Sequence, residues 1–317
     1  MSPHEALHSR VFLAYCGIVL GFLAVTGVIL GLLGFVFKRN VHSVWLTYRS
    51  WLIMVPSAAA ILLAGRVPTI LALSLIALLG FKEFARATGL YQDWWMTSAV
   101  YAGIAAVCVT CLVKHPSSDD PVPGWYGLFM ALPVYVIALI LLIPILRNRT
   151  EHQLQAVSLA ILGFIYIGWM FGHLAFLANP THSYGYLLYL LFSVQVNDVA
   201  AFTFGRLLGR HPLRSNISPK KTWEGALGAL CVSLALPWLL HFSFPHFGPK
   251  QLIFAGLIVG VGGQLGDLSI SVIKRDIGIK DMGASIPGHG GVLDRIDSLI
   301  YTAPLFMHMV DYYYGLS

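Results

Sequence analysis

Long apolar runs separated by short polar connections repeat along the whole chain, and that pattern excludes most folds. Ten runs are visible, at 11–37, 51–65, 67–81, 94–113, 125–146, 154–178, 184–205, 223–244, 251–271 and 298–314. About 20 residues of helix cross a bilayer core. Apart from a closed barrel, only helix satisfies its own backbone groups in lipid. Of 317 residues, 57% are hydrophobic and 11% charged, where a soluble domain carries about a quarter charged. The chain reads as all-α and polytopic, an integral membrane protein of about ten spans, with nine as the rival count. The runs at 51–65 and 67–81 are short and meet at Arg66, which predicts a tight hairpin. The first run is followed by Lys38 and Arg39 rather than by a small-residue cleavage site, so it reads as retained.

Charge orients this arrangement. With ten spans, sixteen of the twenty basic residues fall on one side, leaving Arg10, Arg66, Lys114 and Lys250 on the other. The positive-inside rule makes the first side cytoplasmic and puts both termini outside. A net charge of +6 points to anionic membrane lipids as partners, and nothing points to nucleic acid. The four cysteines, Cys16, Cys108, Cys111 and Cys231, lie inside predicted spans and read as packing residues. Residues 1–180 form an N-terminal scaffold and 181–317 carry the polar motifs, within one integrated membrane domain.

Two runs carry carboxylates at membrane depth. The seventh holds Asn197 and Asp198; the ninth holds Gln264, Asp267 and Ser271 on one helical face. Such a carboxylate costs several kcal/mol unless it is paired, hydrated or bound to a cation. A packing role would pair Asp267 with Lys274, two turns on. Two such aspartates running to the cytoplasmic side favour a polar cavity facing the cytoplasm. Gly256 and Gly260 read as helix contacts, whereas Gly262, Gly263 and Gly266 suit either packing or the approach of a ligand.

The two longest cytoplasmic loops add cations. In "SPKKTWEG", 218–225, Lys220 and Lys221 precede a helix N-terminus. In 271–297, basic residues alternate with Asp276, Asp281, Asp294 and Asp297 around a glycine-rich stretch. Positive-inside topology requires no acids there. Carboxylates beside cations and open backbone are what a polyphosphate with a divalent metal needs.

The run "SVIKRDIGIKDMGASIPGHGGVLDRIDS", 271–298, resembles the signature of the phosphatidate cytidylyltransferase (CDP-diacylglycerol synthase) family. "QLGDLSIS", "SPKKTWEG" and "NDVAAFTFGRLLGR" are similar to its other characteristic stretches, with Asn197 where members usually carry a small residue. "KEFARATGL", 82–90, is a weaker likeness. The resemblance implies transfer of CMP from CTP to phosphatidate with release of pyrophosphate, in phospholipid biosynthesis at a bacterial plasma membrane. It implies catalytic roles for Asp267, Asp294, Lys274, Arg275 and His289. Substrate phosphates would meet Ser218, Lys220, Lys221, Ser271, Lys280, Gly290, Gly291 and Arg295. Magnesium or another divalent cation would be held by Asp267, Asp294 and Asp198. A second metal ion and a homodimer stay open. So do a CTP-dependent kinase or cytidylyltransferase acting on another lipid and, from a different class, an ion-coupled membrane transporter.

Overall fold

The computed structural model describes residues 1–37, 42–114, 123–286 and 290–315. Each apolar run falls mainly within one helix. After a short α1, Pro3–His8, come α2 (Arg10–Gly31), α3 (His42–Leu63), α4 (Arg66–Ala87), α5 (Trp94–Leu112) and α6 (Tyr126–Leu146). They are followed by α7 (Gln153–Phe176), α8 (Ser183–Leu208), α9 (Trp223–Leu239), α10 (Pro249–Asp276) and α11 (Leu293–Tyr314). Among the described residues eight helices are long and apolar enough to cross a membrane. The exceptions are α1, α9, which has 17 residues, and α11, whose first turns carry Asp294, Arg295 and Asp297.

Burial explains why α11 differs. Leu293, Ile296, Ile300, Phe306 and Val310 are all buried, and α11 packs against α4, α7, α8 and α10. A helix enclosed by protein does not need a lipid-compatible surface all round. The most apolar windows of α2 and α3 are only 6% buried, against 50% for α4 and α5, so the first two lie at the periphery.

One expectation is corrected. The runs at 51–65 and 67–81 are not short helices: α3 and α4 have 22 residues each, because their polar flanks continue the helix. The chain turns at Gly65, whose φ of +104° suits glycine. Arg66 already lies in α4, where it donates to Asn179 Oδ1 at 2.5 Å and to the carbonyls of Cys111 and Leu112 at 2.9 Å.

The loop between α8 and α9 holds a small antiparallel hairpin, the little strand present among the described residues of an otherwise all-α chain. Its strands are β1, Pro212–Arg214, and β2, Ser218–Thr222, with Pro212 opposite Thr222 and Arg214 opposite Ser218. Thr222 Oγ1 caps α9 by accepting from Gly225 N at 3.2 Å. Glu224, one residue into that helix, accepts from the amides of Arg210 and His211. The hairpin is thereby anchored at both ends of its base.

Candidate active site

Three helices bring carboxylates to one end of the bundle. Asp198 comes from α8, Asp267 from α10, and Asp294 and Asp297 share one face of α11 at i, i+3 spacing. In α10 a π-helical turn at Ile258–Gly262 shifts the phase of the helix just before its polar face. Gly266 lets α10 press against α11: a Cβ there would lie 2.3 Å from the Asp297 carbonyl oxygen. Gly262 and Gly263 face Thr302 and Asn197, and Gly256 and Gly260 press on α9, so each of these ideal Cβ positions meets protein.

Each of two aspartates has its own lysine. Lys221 Nζ lies 2.6 Å from Asp267 Oδ2, and Ser271 donates to Asp267 Oδ1 at 3.2 Å. Lys274 Nζ lies 2.8 Å from Asp294 Oδ1. The pairing of Asp267 with Lys274 is therefore not made; two helical turns of rise, about 10 Å, separate them along the axis. The two pairs differ in exposure. Side chains of Lys274 and Asp294 are 12% and 5% exposed, those of Lys221 and Asp267 23% and 33%. Breaking a buried pair from one side costs about 3–5 kcal/mol, whereas an exposed pair is worth about 0–1 kcal/mol. The Lys221–Asp267 contact is the one an incoming ligand opens more easily.

The loop before α11 is held by two carboxylates. Asp294 Oδ2 accepts the amides of Met282 at 2.9 Å and Gly291 at 3.2 Å. Glu83, near the end of α4, accepts from Val292 N at 3.0 Å, Leu293 N at 2.9 Å and Ser285 Oγ at 2.6 Å. These are the amides that a helix start leaves unsatisfied, and the positive end of the helix dipole favours an anion there. Glu83 is 8% exposed. It packs so closely that a Cβ at Gly283 or Gly291 would come within 2.6 Å of its oxygens. Gly290 turns the loop at φ +83°.

The remaining predicted residues divide. Strand alternation sends neighbours to opposite faces, so Lys221 turns in to Asp267 while Lys220 is exposed. Arg275 donates to the carbonyls of Ile217 and Ile279, bracing hairpin and loop. Lys280 and Arg295 are exposed, and among the described residues neither forms an ion pair. Asp198 lies within electrostatic reach of Asp267, Lys221 and Arg295. Ser218 is half-buried at the start of β2, Ser271 is bonded to Asp267, and His289 lies outside the described residues.

Sequence reasoning missed two residues. Buried Asp297 is within electrostatic reach of Asp267, Asp198 and Lys274, and its i, i+3 spacing from Asp294 was a readable signal. Glu83 had a fainter one, as the only acid in α4. Among the described residues, no three His, Cys, Asp or Glu side chains are grouped to hold one ion. Carboxylate oxygens are the donors that a hard divalent cation takes, and in this structure two of these carboxylates hold a lysine ammonium instead.

A family model described as the cytidylyltransferase family matches residues 45–313, a stretch that includes every carboxylate and lysine of this site. The chain belongs to the cytidylyltransferase family. A phosphatidate cytidylyltransferase of Staphylococcus haemolyticus (strain JCSC1435) is 32% identical, over 77% of this chain and 90% of that protein. One from Staphylococcus aureus (strain COL) is 40% identical over 50% of this chain and 60% of its own length. The uncharacterized protein YnbB of Escherichia coli (strain K12) is 29% identical, over 87% of this chain and 90% of its own. In this cytidylyltransferase-family chain the polar chemistry sits at one end of an apolar helical bundle.

Proposed function

We propose that this chain transfers CMP from CTP to phosphatidate, giving CDP-diacylglycerol and pyrophosphate, at the cytoplasmic face of a bacterial plasma membrane. The observation that carries this reading is the meeting of Asp198, Asp267, Asp294 and Asp297 with Lys221 and Lys274 at the mouth of a lipid-compatible bundle. The names of the staphylococcal relatives support the same substrate.

The chemistry is an in-line displacement. An oxygen of the phosphatidate phosphate forms a bond to the α-phosphorus of CTP, and the bond from that phosphorus to the oxygen linking it to the β-phosphorus breaks, that oxygen leaving as a terminal oxygen of pyrophosphate. A phosphate monoester has a second pKa near 6 and is largely dianionic at neutral pH, so no general base is required. The demand is for positive charge around crowded phosphate oxygens. Lys221 meets that demand once it releases Asp267, and exposed Lys220 and Arg295 add charge from the rim. Lys274 stays on Asp294, keeping the loop seated. A divalent cation, when bound, polarises phosphate oxygens and neutralises charge; Asp267 and Asp198, with Asp297 behind them, are the groups to hold it.

The test is direct. Purified protein receives labelled CTP, phosphatidate and magnesium, and the products are separated. A CDP-lipid with one pyrophosphate per turnover is expected. CDP with a lipid phosphate would instead identify a CTP-dependent kinase, and no turnover with any lipid would return the transporter reading.

A further inference from the structure

A second polar concavity at the same end of the bundle is not used by the carboxylate site. Its walls are the α4–α5 and α6–α7 connections, its volume is about 530 Å³, and no residue of the carboxylate site lines it. Glu83 caps α11 about one turn before α4 ends, so groove and site open at the same level.

Charge in the groove is unbalanced. Arg147 Nη1 is held by both oxygens of Asp93, at 2.8 and 2.7 Å. That carboxylate also caps α5, accepting from the amides of Trp95 and Met96. Arg149 and His152 line the same space, where Asp93 is the only acid. Among the described residues, Arg149 has no carboxylate partner. The loop that presents them is held in an unusual shape: Asn148 at φ +47° and His152 at φ +55° are the non-glycine residues with left-handed backbones among those described. Such conformations persist where the surroundings over-determine them, and they cluster at ligand sites.

The rim selects the kind of anion. Trp94 and Trp95 are 73% and 56% exposed at the first turn of α5, the depth at which indoles settle in a bilayer interface. Leu159 and Ala156 of α7, a helix long and apolar enough to cross a membrane, also line the groove. A soluble anion uses the cations alone. A ligand that also uses the indoles and the apolar side chains of α7 carries an apolar part beside its anionic group.

We propose that this groove binds the headgroup of an anionic phospholipid from the surrounding leaflet, with Arg149 and His152 on its phosphate and Trp94 and Trp95 against its glycerol region. The site does not depend on the transfer reaction, and its test does not use activity. Protein in neutral detergent is titrated with phosphatidylglycerol, phosphatidylcholine or inorganic phosphate, and retained adducts are counted by native mass spectrometry. Wild type should retain phosphatidylglycerol over phosphatidylcholine, and Arg149→Gln should weaken retention about fivefold, the worth of one basic residue near anionic lipid. Asp93→Asn keeps an α5 cap and frees Arg147, so it should tighten retention, a direction that misfolding does not produce. Lys221→Gln, at the carboxylate site, should retain the adduct. Unchanged retention in both Arg149→Gln and Asp93→Asn would overturn the proposal, as would loss of the adduct in Lys221→Gln. Displacement by inorganic phosphate at lipid-like concentrations would also overturn it, marking a site for soluble phosphate.

Discussion

The Glu83 carboxylate accepts the amide of Leu293 at 2.9 Å, so a residue of α4 caps the helix that carries Asp294 and Asp297. Their separation of 210 residues makes this tie invisible to any local reading. It also means that the N-terminal half helps to shape the site.

Loss of this cap should therefore be felt at a distance. Glu83→Ala leaves the amides of Val292 and Leu293 without their acceptor, at about 1–3 kcal/mol for each one that stays unsatisfied. The variant should unfold at lower temperature and make CDP-lipid at least about tenfold more slowly. Glu83→Gln keeps one acceptor oxygen and should fall between. Thermal unfolding and turnover of the three proteins, side by side, check this; equal values for Ala and wild type would remove the positioning role.

Asp267→Asn separates ligand from packing residue. It removes a charge but keeps shape, and its wild-type pair is partly exposed, so folding should be little affected. Turnover should collapse by orders of magnitude, with partial rescue by raised magnesium or manganese. Asp294→Asn should in addition lower stability, since it strands Lys274 in a buried setting. Exposed Asp281→Asn should do least. Near-normal CDP-lipid formation by monodisperse Asp267→Asn protein would take Asp267 out of the site.

The two adjacent lysines of β2 should behave unequally. Lys221→Gln removes the inward ammonium and should cost about a hundredfold in turnover, the order seen for a lost transition-state donor. Lys220→Gln, on the exposed face, should stay within about threefold at moderate salt. Equal losses would mean that the strand turns over when substrate binds.

Stability should depend on pH through His246, in the α9–α10 connection. Its ring stacks on His182 at 4.1 Å and is hydrogen-bonded to the Tyr186 hydroxyl at 2.8 Å. Burial first, then the charges of His182 and His241, push its pKa down to about 4. The unfolded chain therefore binds the extra proton near pH 6.5, the folded chain only near 4. This contribution is fully present above pH 6.5 and lost as pH falls toward 4. Thermal unfolding followed from pH 7 to 4 should show the decline, and His246→Gln should flatten it.

Sidedness can be read by labelling single cysteines in a cysteine-free background. Ser215, in the hairpin, should react with an impermeant thiol reagent from the cytoplasm, and Lys250, at the start of α10, from the opposite side. Labelling of both from one side would require α9 to return without crossing.

The helices were legible in the sequence because apolar periodicity and run length are local properties of the chain. So were Asp198, Asp267 and Asp294, since a carboxylate inside or beside an apolar run is anomalous wherever the chain goes. The lengths of α3 and α4 were not, because their polar flanks continue the helices past the apolar runs, packed inside protein at Phe81, Glu83, Phe84 and Ala85 of α4 and exposed at the start of α3. Neither were the partners. Lys221 on Asp267, Lys274 on Asp294 and Glu83 on Leu293 each join elements whose approach is set by helix packing, through contacts such as Gly266 against Asp297. The sequence by itself determined which residues had to leave lipid. The tertiary structure alone decided which of them meet, because ion pairs and caps act over a few ångströms while the residues they join lie from 20 to 210 positions apart.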